Sequence, residues 1–171
     1  MKIRQYKESD QRLFQQLVYR AQEKDCLLDE WMSGAQRMLG DYLTGLFQDL
    51  DRNRGVILAL VEERSGQESE VLGYIAVLGA CGEHDIDEVD HVFGFVTDLV
   101  INGSVAKADE GRIATELLAA AEQHVQSCGS TVMRVSVLAG NKALADYYRQ
   151  SDYRERLVQF EKKFPADETL T

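Results

Sequence analysis

The sequence predicts one mixed α/β domain, and three observations carry that reading. Strand-like segments stand first and last with helical segments between them, the helical segments carry single apolar stripes, and no repeat, low-complexity stretch or linker divides the chain. With 171 residues the chain is of ordinary single-domain size and can bury a real core, so the expected domain is 1–171.

Met1 to Tyr6 reads as the first strand. Asp10 to Lys24 follows as an amphipathic helix with Leu13, Phe14, Leu17, Val18 and Ala21 on one face. Asp29 to Leu50 is a second helix, whose stripe is Trp31, Ala35, Met38, Leu39, Tyr42, Leu43, Leu46 and Phe47, interrupted by Gly34, Gly40 and Gly45. Gly55–Glu63 and Glu70–Leu78 read as paired strands around the turn-prone Arg64–Gln67, and His91–Ile101 as a further strand. Ile113–Ser127 has Ile113, Leu117, Leu118, Ala121 and Val125 at helical spacing, with Gly129 just past its end. Val132–Leu138 is strand-like, a short helix follows Asn141, and Arg154–Phe164 reads as a closing strand with partial alternation.

Composition narrows the function. A net charge of −10 disfavours binding to nucleic-acid backbones. No run of about 18 apolar residues suggests a membrane span, and M-K-I-R-Q-Y-K-E lacks the apolar core of a secretory signal. Cys26, Cys81 and Cys128 have neither metal-ligand nor redox spacing, so reduced thiols in a cytoplasmic protein are the expectation. His84 and His91, among acidic residues, match no ligand set, and no metal is expected. Between Arg64 and Lys107 there is no Lys or Arg, while Glu68, Glu70, Glu83, Asp85, Asp87, Glu88, Asp90 and Asp98 all fall there. Such a segment either attracts cationic partners or merely keeps the chain soluble.

The most informative run is N-K-A-L-A-D-Y-Y-R-Q-S-D-Y, Asn141 to Tyr153. Asn caps helices well because its side-chain oxygen accepts an unpaired backbone N–H. A strand, a capped helix and helix-borne tyrosines can aim one hydroxyl at a cleft, although an ordinary helix with core aromatics has the same pattern.

Asn141, Tyr148 and Tyr153 are spaced as in the last signature of the GNAT superfamily of N-acetyltransferases, and the element order resembles that family over nearly the whole chain. The resemblance implies a mixed, mainly antiparallel sheet flanked by about four helices. It implies that Asn141 lies near the pantetheine arm of acetyl-CoA and that Tyr148 is the general acid for the departing thiolate. Backbone groups of the fourth strand, at Leu99, Val100 and Ile101, would hold the pantetheine and polarise the thioester. Asp98, just before them, is the candidate for proton removal, against the alternative of an ordinary charged strand-end residue. Two positions depart from the pattern: Asp152 stands where the family usually has Gly, and Leu144 where it has a small residue.

The family's phosphate loop has Arg or Gln, two residues, Gly, one residue, then Gly or Ala. Asp109, Glu110, Gly111, Arg112, Ile113 and Ala114 align with it, and Ala114 alone matches in place. Gly111, Arg112, Ile113 and Ala114 are thus the expected phosphate-side contacts. Anion stabilisation at an exposed helix start is worth about 0.3–1 kcal/mol. A carboxylate about 6 Å from a phosphate charge costs about 0.7 kcal/mol in bulk-water dielectric and about 3 kcal/mol at an effective value of about 20. Asp109 and Glu110 can cancel the helix's help if they face the phosphates; Lys107 and Arg112 can restore it.

The expected function is transfer of an acetyl group from acetyl-CoA, as cosubstrate, to a primary amine, a cationic small molecule. The alternative is a GNAT-fold module that binds CoA weakly or not at all and acts through protein contacts. No nucleic-acid or membrane partner is expected, and the sequence leaves a homodimer open.

Overall fold

The structure, a computed structural model, describes residues 1–29, 35–63, 69–82 and 92–162, with side chains outside the description over 35–38. The chain forms two compact units, Met1–Gly140 and Asn141–Thr171.

The first unit contains a five-stranded sheet in the order β1 (Lys2–Gln5), β2 (Val56–Glu62), β3 (Glu70–Gly82), β4 (Val92–Ile101) and β5 (Val132–Val135). Neighbours are antiparallel from β1 to β4, and β4 with β5 is parallel. β3, at the centre, is buried without interruption from Val71 to Gly79, as a strand covered on both faces must be.

Helix α1 (Gln11–Leu28) and helix α2 (Ala35–Arg52) cover one face. Phe14, Leu17 and Val18 of α1 and Leu46 and Leu50 of α2 pack with Ile57, Ala59, Val71, Tyr74, Ala76 and Leu78 of the strands. A 3-10 turn at Glu8–Asp10 leads into α1, and a fork from Arg4 to Asp10 at 2.6 and 2.8 Å ties it to β1. That hydrogen bond holds the Asp10 carboxyl below its ordinary value.

Helix α3 (Lys107–Ser127) covers the other face through Ile113, Leu117, Leu118, Ala121 and Val125. The approach is close: a Cβ at Gly94 of β4 would lie 2.3 Å from Val125 Cγ2, so the strand needs glycine there. Gly129, at φ 91°, follows the helix as its spacing predicts. The helix begins six residues before the expected Ile113, because Lys107–Arg112 continue its turns rather than forming a loop.

The second unit contains α4 (Lys142–Gln150), capped by Asn141. The expected closing strand at Arg154–Phe164 is not there: Arg154–Lys162 forms no strand, and Lys163 and Phe164 lie outside the described residues. Leu157, Val158 and Phe160 are 85%, 69% and 91% exposed, so the segment's apolar side chains find no face to cover. Strand propensity is realised only against a partner, and partial alternation offers none. The turn at Arg64–Gln67, the acidic Glu83–Asp90 run, both His84 and His91, and Trp31 lie outside the described residues.

Candidate active site

The fourth strand changes character at Thr97. Ala76 pairs with Asp98 and Val77 with Val96, so Thr97 is an extra residue, a β-bulge whose hydroxyl donates to the Ala76 carbonyl at 3.1 Å. β5 pairs with β4 only over Phe93–Val96. Among the described residues, β4 from Thr97 onward is therefore hydrogen-bonded to β3 on one edge and pairs with no strand on the other.

The open edge has a definite register. Asn102 N–H donates to Leu72 O at 2.8 Å, toward β3. Backbone groups alternate along an antiparallel strand, so Val100 also turns to β3 while Leu99 and Ile101 direct their N–H and C=O outward. Of the three expected cofactor contacts on this strand, Leu99 and Ile101 thus offer ladder groups to an extended ligand. Val100 turns its side chain into the α1–α2 core instead. After β5 the chain leaves for the end of α1: a Cβ on Gly140 would lie 3.0 Å from the Leu28 carbonyl oxygen.

Asp98 opens this stretch, with its side chain on the α1–α2 face, where the Tyr42 hydroxyl donates a short hydrogen bond to Oδ2. Burial pushes the Asp98 carboxyl above its ordinary value; the Tyr42 and Thr97 hydroxyls pull it back, and Asp25 of α1 pushes it further up. Tyr42's own proton is held tightly, first by burial and then by the Asp98 charge. A carboxylate with raised proton affinity is a better proton acceptor than an ordinary one.

The start of α3 is electrostatically balanced. Lys107 pairs with Glu110 at 2.6 Å, and Arg112 reaches Glu116 at 2.7 Å and Asp109 at 3.4 Å. The helix N-cap is Ala106, and the Asp109 N–H already donates to the Ala106 carbonyl at 2.9 Å, so among the described residues the N–H groups that the first turn leaves without a backbone acceptor are those of Ala106–Ala108. Gly111, Arg112, Ile113 and Ala114 sit in the second turn, with Ile113 and Ala114 buried in the α3 core face.

In the second unit, Asn141 Oδ1 accepts from Leu144 N–H at 3.2 Å, the capping bond that its position predicts. Tyr148 is buried, and its ring stands edge-on to Tyr147 at 5.4 Å and to Tyr153 at 5.3 Å. Tyr153 returns to it because Asp152 turns left-handed, φ 65°, which lets Tyr153 N–H reach Tyr148 O at 3.0 Å. The departure from glycine at Asp152 thus falls on a position whose conformation favours glycine.

Three side chains in the electrostatic surroundings of Asp98, those of Asp25, Tyr42 and Tyr74, and the buried Gln22 of α1 are not legible in the sequence. Gln22 and Asp25 continue the buried stripe of α1 after Phe14, Leu17 and Val18, and polar residues at core spacing were the available signal. In sequence, Tyr42 falls on the apolar stripe of the second helix and Tyr74 within the Glu70–Leu78 strand segment, so neither position stands out. Among the described residues, no helix is long and apolar enough to cross a membrane.

No family model matches the chain, and no curated protein matches it in sequence. Solved structures do match in fold. The aminoglycoside antibiotic 6'-N-acetyltransferase of Acinetobacter haemolyticus aligns at 16% identity and a TM-score of 0.63, over 96% of this chain and 100% of its own. The glucosamine-6-phosphate N-acetyltransferase of Arabidopsis thaliana aligns at 17% identity and 0.60, over 96% and 98%. A transcriptional regulator from Bacillus halodurans aligns at 10% identity and 0.67, over 95% and 99%. The chain therefore has the GNAT-type acetyltransferase fold, as the Asn141–Tyr153 run implied.

Two substitutions test these local readings. Below its ordinary pKa of 3.8, Asp98 is protonated folded or unfolded; between 3.8 and its higher folded value, the folded state binds more protons, so stability falls as pH rises. Asp98→Asn removes that loss, and urea unfolding from about pH 4 to 7 will show the variant gaining on the natural protein with rising pH; a constant gap contradicts it. Asp152→Gly relieves a left-handed cost of about 1–2 kcal/mol against about 0.5–1 kcal/mol of added chain entropy. The variant's unfolding free energy should rise by about 0.5 kcal/mol, and a fall would show that Asp152 contributes more than its backbone.

Proposed function

We propose that this protein transfers an acetyl group from acetyl-CoA to a primary amine, a cationic small molecule. The observation that carries the proposal is the edge of β4 beyond Val96, which pairs with no strand among the described residues and along which Leu99 and Ile101 turn their backbone groups, beside a carboxylate of raised proton affinity. The acetyltransferase fold supports it, because proteins of this shape include N-acetyltransferases for an aminoglycoside and for an amino sugar phosphate. Fold alone does not fix activity, since a transcriptional regulator shares it.

Acetyl-CoA supplies the activated acyl group as a thioester. Leu99 and Ile101 hold its pantetheine arm as an added strand would be held, through N–H and C=O; Asn141 is the residue that the family resemblance assigns to that arm. An amine of pKa about 10 arrives protonated, so Asp98 takes a proton before nitrogen attacks the carbonyl carbon. The C–N bond forms as the C–S bond breaks, and Tyr148 gives its proton to the departing sulfur; the second nitrogen proton restores the Tyr148 hydroxyl, and Asp98 passes its proton to solvent. The products are an amide and CoA thiol, with one proton released overall. The pyrophosphate lies toward the N-terminal turns of α3, where Gly111, Arg112, Ile113 and Ala114 align with the family's loop. That Cys26, Cys81 and Cys128 form no disulfide fits a reducing, cytoplasmic setting.

The salt bridges at the start of α3 favour a second reading. With Lys107 and Arg112 tied to carboxylates, little positive charge is spare for phosphates, and a module without CoA that acts through protein contacts would have this feature.

Thiol release from acetyl-CoA with a panel of cationic amines tests the main reading. Turnover should appear with at least one amine, and Tyr148→Phe should lower kcat by about 10²-fold, the lower end of general-acid contributions. Equal turnover by the variant at all pH values would remove Tyr148 from the chemistry, and no turnover with any amine would favour the module.

A further inference from the structure

The C-terminal end of α3 brings a thiol, an imidazole and a carbonyl together, away from the residues discussed so far. His124 and Cys128 are four residues apart, so they share one face of the helix end. His124 Nε2 lies 2.8 Å from the carbonyl oxygen of Arg54, in the turn between α2 and β2. Cys128 Sγ lies 3.6 Å from the same nitrogen and 3.7 Å from the same oxygen. All three atoms crowd one point on β3. A Cβ on Gly79 would stand 2.5 Å from Sγ, 2.6 Å from the Arg54 oxygen and 3.1 Å from Nε2, so glycine is what lets them approach the strand together. Arg54 is itself left-handed, at φ 53°, a conformation that costs a non-glycine residue about 1–2 kcal/mol. Its guanidinium donates to the Cys128 carbonyl at 3.0 Å.

The separations match the edges of a zinc coordination tetrahedron. Zinc binds thiolate at about 2.3 Å, imidazole nitrogen at about 2.0–2.1 Å and oxygen at about 2.0–2.2 Å. Tetrahedral angles then put sulfur about 3.5 Å from nitrogen and about 3.6 Å from oxygen, beside 3.6 and 3.7 Å here. Nitrogen and oxygen would stand about 3.4 Å apart, so their 2.8 Å hydrogen bond must open as the ion replaces the hydrogen. Calcium and magnesium take oxygen ligands, and a thiolate with an imidazole selects a thiophilic ion instead. The carbonyl end of a helix favours a cation, which offsets the Arg54 charge nearby. Among the described residues no three His, Cys, Asp or Glu side chains gather at one place. The third protein ligand here is therefore a backbone carbonyl, and water completes the tetrahedron, as in an open rather than a closed zinc site. Spacing among the cysteines alone hides this His-x-x-x-Cys pair.

We propose that Cys128 Sγ, His124 Nε2 and the Arg54 carbonyl form a zinc site that clamps the end of α3 to the turn between α2 and β2. On binding, the thiol proton goes to solvent and the imidazole proton moves from Nε2 to Nδ1, which frees the Nε2 lone pair for the ion. The clamp ties together two segments that otherwise meet only through hydrogen bonds to Arg54 and the packing on Gly79. Helix α3 has 21 residues, about 30 Å at helical rise, so the clamp lies a full helix length from Lys107. It does not rest on the acetyl-transfer reading.

Titration of the reduced full chain with cobalt(II), then zinc(II), tests it. Cobalt should give a thiolate-to-metal charge-transfer band that saturates at one ion per chain, and zinc should displace it. Zinc should also raise the midpoint of thermal unfolding, because the site exists only in the folded chain. Cys128→Ser should remove the band, and His124→Gln should weaken binding by at least about tenfold, the least that a change in a metal's surroundings costs. Cys26→Ser and Cys81→Ser should leave the titration unchanged. Far-ultraviolet circular dichroism checks that each variant is folded. Three results would overturn the site: no thiolate band, a band that survives Cys128→Ser, or binding unchanged by His124→Gln. A band lost in Cys26→Ser or Cys81→Ser would move the ion to another thiol and overturn it as well. Zinc binding without any thiolate band would mark carboxylates on this acidic chain, again against the proposal.

Discussion

The rest of the site depends on one backbone constraint: β4 must satisfy its N–H and C=O groups, and β5 stops serving them after Val96. An unpaired edge is costly when buried and a template for pairing when open. The bulge at Thr97 falls where the two strands part, so the same residue that shifts the β3 register also begins the open edge. The chain after β5 goes to the end of α1 rather than along β4. An extended, amide-bearing ligand is the natural complement of such an edge, because it can be held by backbone bonds alone.

That logic explains why the defective phosphate loop does not decide the matter. A ligand held along β4 gains several ladder hydrogen bonds, whereas an exposed helix start contributes about 0.3–1 kcal/mol. The ion pairs of Lys107 and Arg112 cancel charge locally, yet the N–H groups of Ala106–Ala108 at the start of α3 do not depend on those side chains. Affinity would be lowered rather than abolished.

The second organising feature is the polar interruption of the α1–α2 core. Phe14, Leu17 and Val18 pack normally, and the same helix face then presents Gln22 and Asp25. Buried charge without a cation is expensive, and the raised proton affinities of Asp25 and Asp98 are the form that expense takes. The amphipathic periods of α1 and α3, the paired β2 and β3, and the Asn141 cap were legible in the sequence, because each follows from local spacing or a single capping residue. The start of α3 was not: the expected loop motif drew the boundary to Ile113, while Lys107–Arg112 are good helix formers apart from Gly111 and continue the turns. Nor was the fate of Arg154–Lys162, since strand formation depends on a partner that no window of sequence contains. The polar cluster was hidden for a similar reason. Asp25, Tyr42 and Tyr74 come from three different elements, and only tertiary packing brings their charges and hydroxyls to bear on Asp98.

Amide chemical shifts during an acetyl-CoA titration of nitrogen-15-labelled protein address the central claim most directly. If pantetheine is held along the open edge of β4, the Leu99 and Ile101 amides will move most among β4 residues, while the Val100 amide, already committed to β3, will move less. Perturbation confined to other parts of the chain, or no perturbation with acetyl-CoA in large excess, would contradict the account.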